Sequence, residues 1–179
     1  PDLLPFTSMI SKYGVPYIGG MFCTDRMKLK PFKKYCDDVY GKKNYETWLG
    51  IRDDEPGRLT LKPFIRYMAE ISDFDKQDVL NYWSKIPFDL DLDEWSGNCE
   101  FCPKKSNLKL AASQRDSPES YINFVEMLHG DSVRVDDNTG NRVKMYRGKQ
   151  SLESLIAKFD GSTGQEIKSR IRGSKMIDT

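Results

Sequence analysis

The chain has 179 residues, 38% hydrophobic and 12% aromatic, enough for one domain with a real core or one domain plus an appendage. Its 28 Lys and Arg against 27 Asp and Glu leave a net charge of +1, which gives no global argument for binding nucleic acid or a membrane surface. No apolar run approaches the length of a membrane span, and the start Pro1-Asp2-Leu3-Leu4-Pro5 lacks the basic and apolar regions of a signal peptide. The chain begins without Met, as a processed or truncated chain would. Its four cysteines, Cys23, Cys36, Cys99 and Cys102, are too few for a disulfide scaffold. With no secretion signal they point to a reducing, cytoplasmic compartment, where C-x-x-C reads as metal binding or redox chemistry.

Residues 1–22, with Gly14, Pro16, Gly19 and Gly20 around Val15-Pro16-Tyr17-Ile18, read as a short extended segment between loops. Thr24 and Asp25 suit the start of a helix that runs to about Tyr40, is interrupted or restarted at Pro31 and ends at Gly41. Tyr45–Ile51 is aromatic and β-prone and reads as a buried strand, the only run of a central parallel type. It runs into the charged turn Arg52–Arg58. Val79, Leu80 and Trp83 share a helical spacing over Asp75–Lys85, capped by Asp73 or Asp75 and stopped by Pro87. Ser96–Lys105 is a polar loop with the cysteine pair. Tyr121, Phe124, Val125 and Leu128 define one face of a helix over Pro118–Leu128, with Ser117 as its N-cap. Ser132–Val135 and Arg142–Tyr146 predict a hairpin, and Ser151–Phe159 a short amphipathic helix. The polar stretch Asp160–Thr179 reads as a loosely held tail. Helices mixed with strands make the chain α/β.

Three segments carry candidate chemistry. In Gly97-Asn98-Cys99-Glu100-Phe101-Cys102-Pro103-Lys104-Lys105 two cysteines two residues apart can aim both sulfurs at one ion, and the lysines favour thiolates and offset a cluster's negative charge. Two reduced thiols, or a disulfide, fit the same spacing. No helix clearly starts at Cys99, which argues against a thioredoxin-like role. The second segment sets Cys23 before a basic helix start with Arg26, Lys28 and Lys30, suited to a thiolate or an anion, though taken alone it reads better as a solvated basic face with a buried Cys. The third is the turn leaving the 45–51 strand, where Arg52 and Arg58 could fork onto phosphate or sulfate oxygens with Glu55 holding one of them. A surface turn laced by salt bridges is the plain alternative.

In order and spacing, over roughly residues 15–110, these segments resemble the phosphoadenosine phosphosulfate (PAPS) and adenylyl-sulfate reductase family. The matching pieces are Cys23-Thr24-x-x-Met27-Lys28-x-x-Pro31, Gly50-Ile51-Arg52 with Arg58, the helix after Asp73, and Gly97-Asn98-Cys99-Glu100-Phe101-Cys102. The wording looks closest to the PAPS reductase-like proteins of bacteriophages and bacteria, and Arg147-Gly148 looks like that group's tail. The resemblance implies the C-terminal part of a Rossmann-like adenine nucleotide alpha-hydrolase fold with a Cys-containing loop region. It further implies an adenine nucleotide or sulfonucleotide as substrate, held by Lys28, Arg52, Glu55 and Arg58. Sulfur transfer or reduction would occur at a 4Fe–4S cluster, or zinc, on Cys23, Cys99 and Cys102. Cys36, about 20 Å from Cys23 along a helix, is expected to be structural. Residues 1–115 would form the reductase-like domain, 116–160 a helix–hairpin–helix extension and 161–179 a flexible tail.

The chain also departs from the family. Position 24, the second Cys of a tandem pair in the assimilatory enzymes, is Thr24. The Ser-Gly-Gly-x-Asp-Ser phosphate loop is missing, and neither Ile18-Gly19-Gly20 nor Gly161-Ser162-Thr163-Gly164 replaces it. That loop is expected upstream of Pro1, so these residues alone are expected to be inactive and to need the N-terminal segment as a partner. The family's C-terminal Cys-Gly-x-His is also missing: His129 is the single histidine and has no Cys near it. The three-cysteine pattern is similar to that of ATP-dependent tRNA-thiolating relatives, which leaves tRNA open as a partner. The competing reading is a non-catalytic phage-type module with a structural zinc that binds a host protein or a nucleotide signal.

Overall fold

A computed structural model describes residues 4–19, 22–88, 92–93, 95–97, 99–134, 147 and 150–175. The chain divides into two compact units, Pro1–Leu29 with Leu92–Thr179, and Lys30–Asp91. No helix among the described residues is long and apolar enough to cross a membrane.

The first unit is helical. Helix α1, Leu4–Tyr13, forms where an extended segment was expected. Phe6, Met9, Ile10 and Tyr13 recur at helical spacing, and Met9 and Ile10 are buried. Gly14 ends it in the left-handed region (φ +83°), its N–H donating to Ile10 O at 2.8 Å. A π-helical turn, Asp25–Leu29, follows. Met9, Ile10, Val15 and Val133 form one core cluster, flanked by Phe6, Tyr13, Phe22, Cys23, Met127 and Leu128.

The centre of this unit is a helix with core on two sides. Asn107–Asp116, labelled α4 because two helices and two strands of the second unit precede it in the chain, packs against α5 (Pro118–His129), α6 (Leu152–Ile156) and α7 (Gly164–Lys175). Leu110 joins Phe101, Leu152, Leu155 and Ile156, while Ala111 and Ala112 join Trp95, Ile167 and Ile171. Ser106 caps α4 by accepting from the Lys109 N–H at 3.3 Å, and Ser151 caps α6 by accepting from the Ser154 N–H at 3.2 Å. The α5 helix starts at Pro118, as its apolar stripe and that proline predict, and runs one residue past Leu128; the Ser117 side chain makes no capping bond.

One expectation fails here. The stretch after Asp160 is helix α7, held by buried Ile167 and Ile171 one turn apart, so it is not a loosely held tail. On either side of residue 115, α4 and α5 pack together within one unit. The predicted hairpin lies almost entirely outside the described residues.

The second unit has a thin core, in which Cys36, Ile51 and Tyr67 are buried. Helix α2, Lys30–Tyr40, runs through Pro31 in its first turn, where proline is tolerated, and stops at Gly41 (φ +82°), whose N–H donates to Asp37 O at 3.1 Å. Strands β1, Thr47–Leu49, and β2, Ile65–Tyr67, pair in parallel, with Trp48 opposite Arg66. The expected buried strand is therefore shorter than 45–51, and its Trp48 is 43% exposed. Helix α3, Lys76–Trp83, begins at Asp75 in a reciprocal cap: the Asp78 N–H donates to Asp75 Oδ1 (2.9 Å) and the Asp75 N–H to Asp78 Oδ2 (3.1 Å).

Two predictions follow from these contacts. Replacing Trp95, 1% exposed and donating from Nε1 to Asp116 Oδ2 at 2.7 Å, by Phe should cost about 2 kcal/mol. In thermal denaturation that is a fall in Tm of about 4–8 °C. In the second unit Tyr45 donates to Asp37 Oδ1 at 2.9 Å, and burial together with that carboxylate pushes its phenol up to about 12. A folded value above the ordinary 10.0 means stabilisation that is complete below pH 10 and lost as pH rises toward 12. Denaturation measured from pH 9 to 12 should show this loss, and Asp37→Asn should shrink it.

Candidate functional site

Two buried aromatic side chains anchor the segment of the cysteine pair. Trp95 (1% exposed) precedes it and Phe101 (4% exposed) lies inside it. The Cys102 N–H donates to Cys99 O at 3.2 Å and the Lys105 N–H to Cys102 O at 2.9 Å, so Cys99–Lys105 is wound as two consecutive turns that lead into the Ser106 cap of α4. Such a turn keeps residues i and i+3 close, as two ligands of one ion or two partners of one disulfide require. Cys99 is exposed and Cys102 half-buried, and both are free thiols.

Cations and hydrogen bonds fix this turn from outside. The Lys105 ammonium donates to Trp95 O. Burial pulls its pKa below the ordinary 10.5, while the charges of Glu100, Cys102 and Cys99 pull the other way. Arg147 donates from Nε to Pro103 O at 2.8 Å and from Nη1 to Asn107 Oδ1 at 2.6 Å, clamping the end of the turn to the start of α4. Sequence reasoning noticed Arg147 only as part of a tail and missed this role, because the partner lies 44 positions earlier. A cavity of about 230 Å³, lined by Phe6, Cys99, Phe101, Ser120, Asn123 and Phe124, opens beside the exposed thiol.

Cys23 belongs to the same unit but packs, half-buried, with Phe6, Tyr13, Phe22, Met127 and Leu128 around the Met9–Ile10 core. Among the described residues no group of three or more His, Cys, Asp or Glu side chains is gathered as a metal ion would need. Cys99 and Cys102 thus fit half of a thiolate site, and Cys23 is not brought to them. Cys36 is buried on α2 of the other unit.

Lys28 lies in the π-helical turn, beside an Arg26 whose guanidinium stacks 4.5 Å from the centre of the Tyr13 ring. In the second unit Arg52, Glu55 and Arg58 do come together. Arg58 Nη1 donates to Glu55 Oε1 at 2.5 Å, and Arg52 lies 3.7 Å from Glu55 Oε2. Arg52 also donates to both oxygens of Asp54, at 2.7 and 3.3 Å. These bonds hold the Asp54 and Glu55 carboxyls below their ordinary values, against the opposing pull of desolvation. The arginine forks are therefore already occupied by carboxylates, and an anion would have to displace Asp54.

His129, unplaced by the sequence, pairs through Nε2 with Glu153 Oε1 at 2.5 Å, joining α5 to α6.

The chain is similar to an uncharacterized nin region protein, ORF290, of Escherichia phage lambda, with 46% identity over 179 residues. The similarity covers all of this chain and 62% of that protein, so the chain spans about three fifths of the relative's length. No family profile and no solved structure matches the chain.

The thiols should differ in reactivity as they differ in exposure. Under mild alkylation followed by mass spectrometry, Cys99 should be modified first and Cys36 last. Arg147→Ala should speed modification of Cys102 several-fold and leave Cys36 unchanged. Equal rates for Cys102 in both proteins would show that Arg147 does not hold the turn.

Proposed function

We propose that this chain forms part of a PAPS reductase-like protein with a Rossmann-like sheet. It binds an adenine nucleotide or sulfonucleotide and acts in sulfur transfer or reduction. The observation that carries the reading is the Cys99–Cys102 turn, with Phe101 buried inside it and the Lys105 ammonium bonded to the carbonyl of buried Trp95. A thiol kept only for packing is buried, like Cys36, whereas a thiol that meets a substrate must be reachable and supported as its anion. Cys99 is reachable and opens onto an apolar cavity.

The nucleotide half of the reading rests on the parallel pair β1–β2 and on Gly50-Ile51-Arg52 at the carboxyl end of β1, the end at which open α/β sheets bind ligands. Arg52 and Arg58 would exchange Asp54 and Glu55 for phosphate or sulfate oxygens. An iron–sulfur or zinc centre would start from Cys99 and Cys102 and would supply a soft, open position for sulfur. With Cys23 standing apart, no step is routed through it. Similarity to a phage protein suits the second reading, a phage-type module with a structural zinc and no turnover.

Both readings meet in one preparation. Protein purified without oxygen is analysed for iron, sulfide and zinc, then titrated calorimetrically with ATP and adenylyl sulfate. Bound metal that is lost in Cys99→Ser, with nucleotide binding weakened about tenfold or more by Arg52→Ala, is the expected result. Stoichiometric zinc without nucleotide binding selects the second reading. Metal-free protein that binds neither nucleotide overturns both.

A further inference from the structure

The cavity beside Cys99 lies within the helical unit, between α1, the cysteine turn and α5. Its walls are largely aromatic. Phe101, 4% exposed, meets Phe124 with 5.4 Å between ring centres, and Phe124 meets Phe6 at 5.8 Å, both in the tilted arrangement that aromatic rings favour. Ser120, Asn123 and Phe124 stand three and four positions apart on α5, so one helix face brings a hydroxyl, an amide and a ring to the same space. Glu100 is the only charged side chain in the lining among the described residues. Lys105 feels its charge, but the Lys105 ammonium donates to the Trp95 carbonyl rather than to Glu100.

Size and polarity select the occupant. A dry cavity of about 150 Å³ takes a benzene ring, so about 230 Å³ leaves room for one ring with a short arm. Sites for larger ligands begin at about 300 Å³, so a nucleotide is too big for this one. A free nucleobase is disfavoured too, because its polar edge atoms would lose water against phenyl walls and find few groups to replace it. Glu100 sets the sign of the charge. An anion is repelled, whereas an ammonium gains a carboxylate beside ring faces that themselves attract cations.

We propose that this cavity binds a small aromatic amine, one ring with a short ammonium-bearing arm. The ring packs among Phe6, Phe101 and Phe124, the ammonium meets Glu100, and Ser120 and Asn123 supply its further polar partners. Cys99 lines the same space, so the bound amine covers its sulfur. The site adjoins the thiol of the proposed function and needs neither a metal nor a nucleotide.

Phenethylamine is the probe, titrated calorimetrically into the whole 179-residue chain. It should bind with a Kd of about 1 mM or lower. Phenylacetate, with the same ring and the opposite charge, should bind more weakly, and so should adenine. Glu100→Gln should weaken phenethylamine about fivefold and leave uncharged phenylethanol unchanged. Ser120→Leu fills the cavity and should abolish binding of both, with a Tm within about 2 °C of the unaltered protein's to show that the fold persists. A second readout needs no variant: at about ten times its Kd, phenethylamine should slow iodoacetamide alkylation of Cys99 about tenfold and leave Cys36 unchanged. Neither heat nor protection of Cys99 at about 10 mM overturns the proposal. So does phenylacetate or adenine binding as tightly as phenethylamine, or a phenethylamine affinity untouched by Glu100→Gln. Metal and nucleotide analyses do not enter these readouts, so the amine site can fail while the proposed function stands, and the reverse.

Discussion

Trp95 is the interaction on which the helical unit depends. Its indole N–H is bonded to Asp116 at the end of α4, and its carbonyl accepts from Ser113 Oγ and from the Lys105 ammonium. Asp116 is in turn paired with Lys168 of α7 at 2.5 Å, and Lys168 and Arg172 both lie over the indole ring. One buried side chain thus joins the cysteine turn, the central helix and the C-terminal helix. A buried indole whose N–H is satisfied combines a large apolar area with a fixed direction, which a purely aliphatic anchor would lack. The cysteine turn inherits that direction, since the carbonyl of the same residue accepts from the Lys105 ammonium at the turn's end.

The second unit is organised differently. Its polar turn is self-contained: Glu55 stands between Arg52 and Arg58, and Asp54 closes the fork of Arg52. Exposed pairs of this kind add little stability, because solvent screens them and ordering long side chains costs entropy. Their consequence is for binding: the arginines are held close and pre-ordered, yet any incoming anion competes with carboxylates already in place. Affinity at this turn is set by an exchange of partners, and by whatever else covers the unit's thin core.

Local signals were legible where neighbours in sequence are neighbours in space. Asp75, Pro118 with Ser117, and Ser151 marked helix starts, and Gly41 marked a helix end, because a cap is a contact over a few residues. The stripe Tyr121, Phe124 and Val125 announced α5 for the same reason, as one face of it meets a core. Helix α4 was missed because it is buried on two sides, so its apolar residues do not alternate with polar ones. Strand β2 was missed because three residues, one of them Arg66, carry no strand pattern until β1 lies beside them. In α7 only Ile167 and Ile171 face the core, and a pair one turn apart within a polar stretch is too faint a period to read.

For the candidate site the division is similar. The sequence alone determined that Cys99 and Cys102 share one turn and that Arg52, Glu55 and Arg58 share another, since spacings of two to five residues constrain distance directly. It also determined that Gly41, free of a side chain, could close a helix in the left-handed region. Only the tertiary structure decided that Arg147 clamps the turn and that Cys23 packs among Phe6, Tyr13 and Phe22 apart from the pair. Those relations join segments tens of residues apart, and their energies come from burial and desolvation, which exist only once the core around Trp95 has closed.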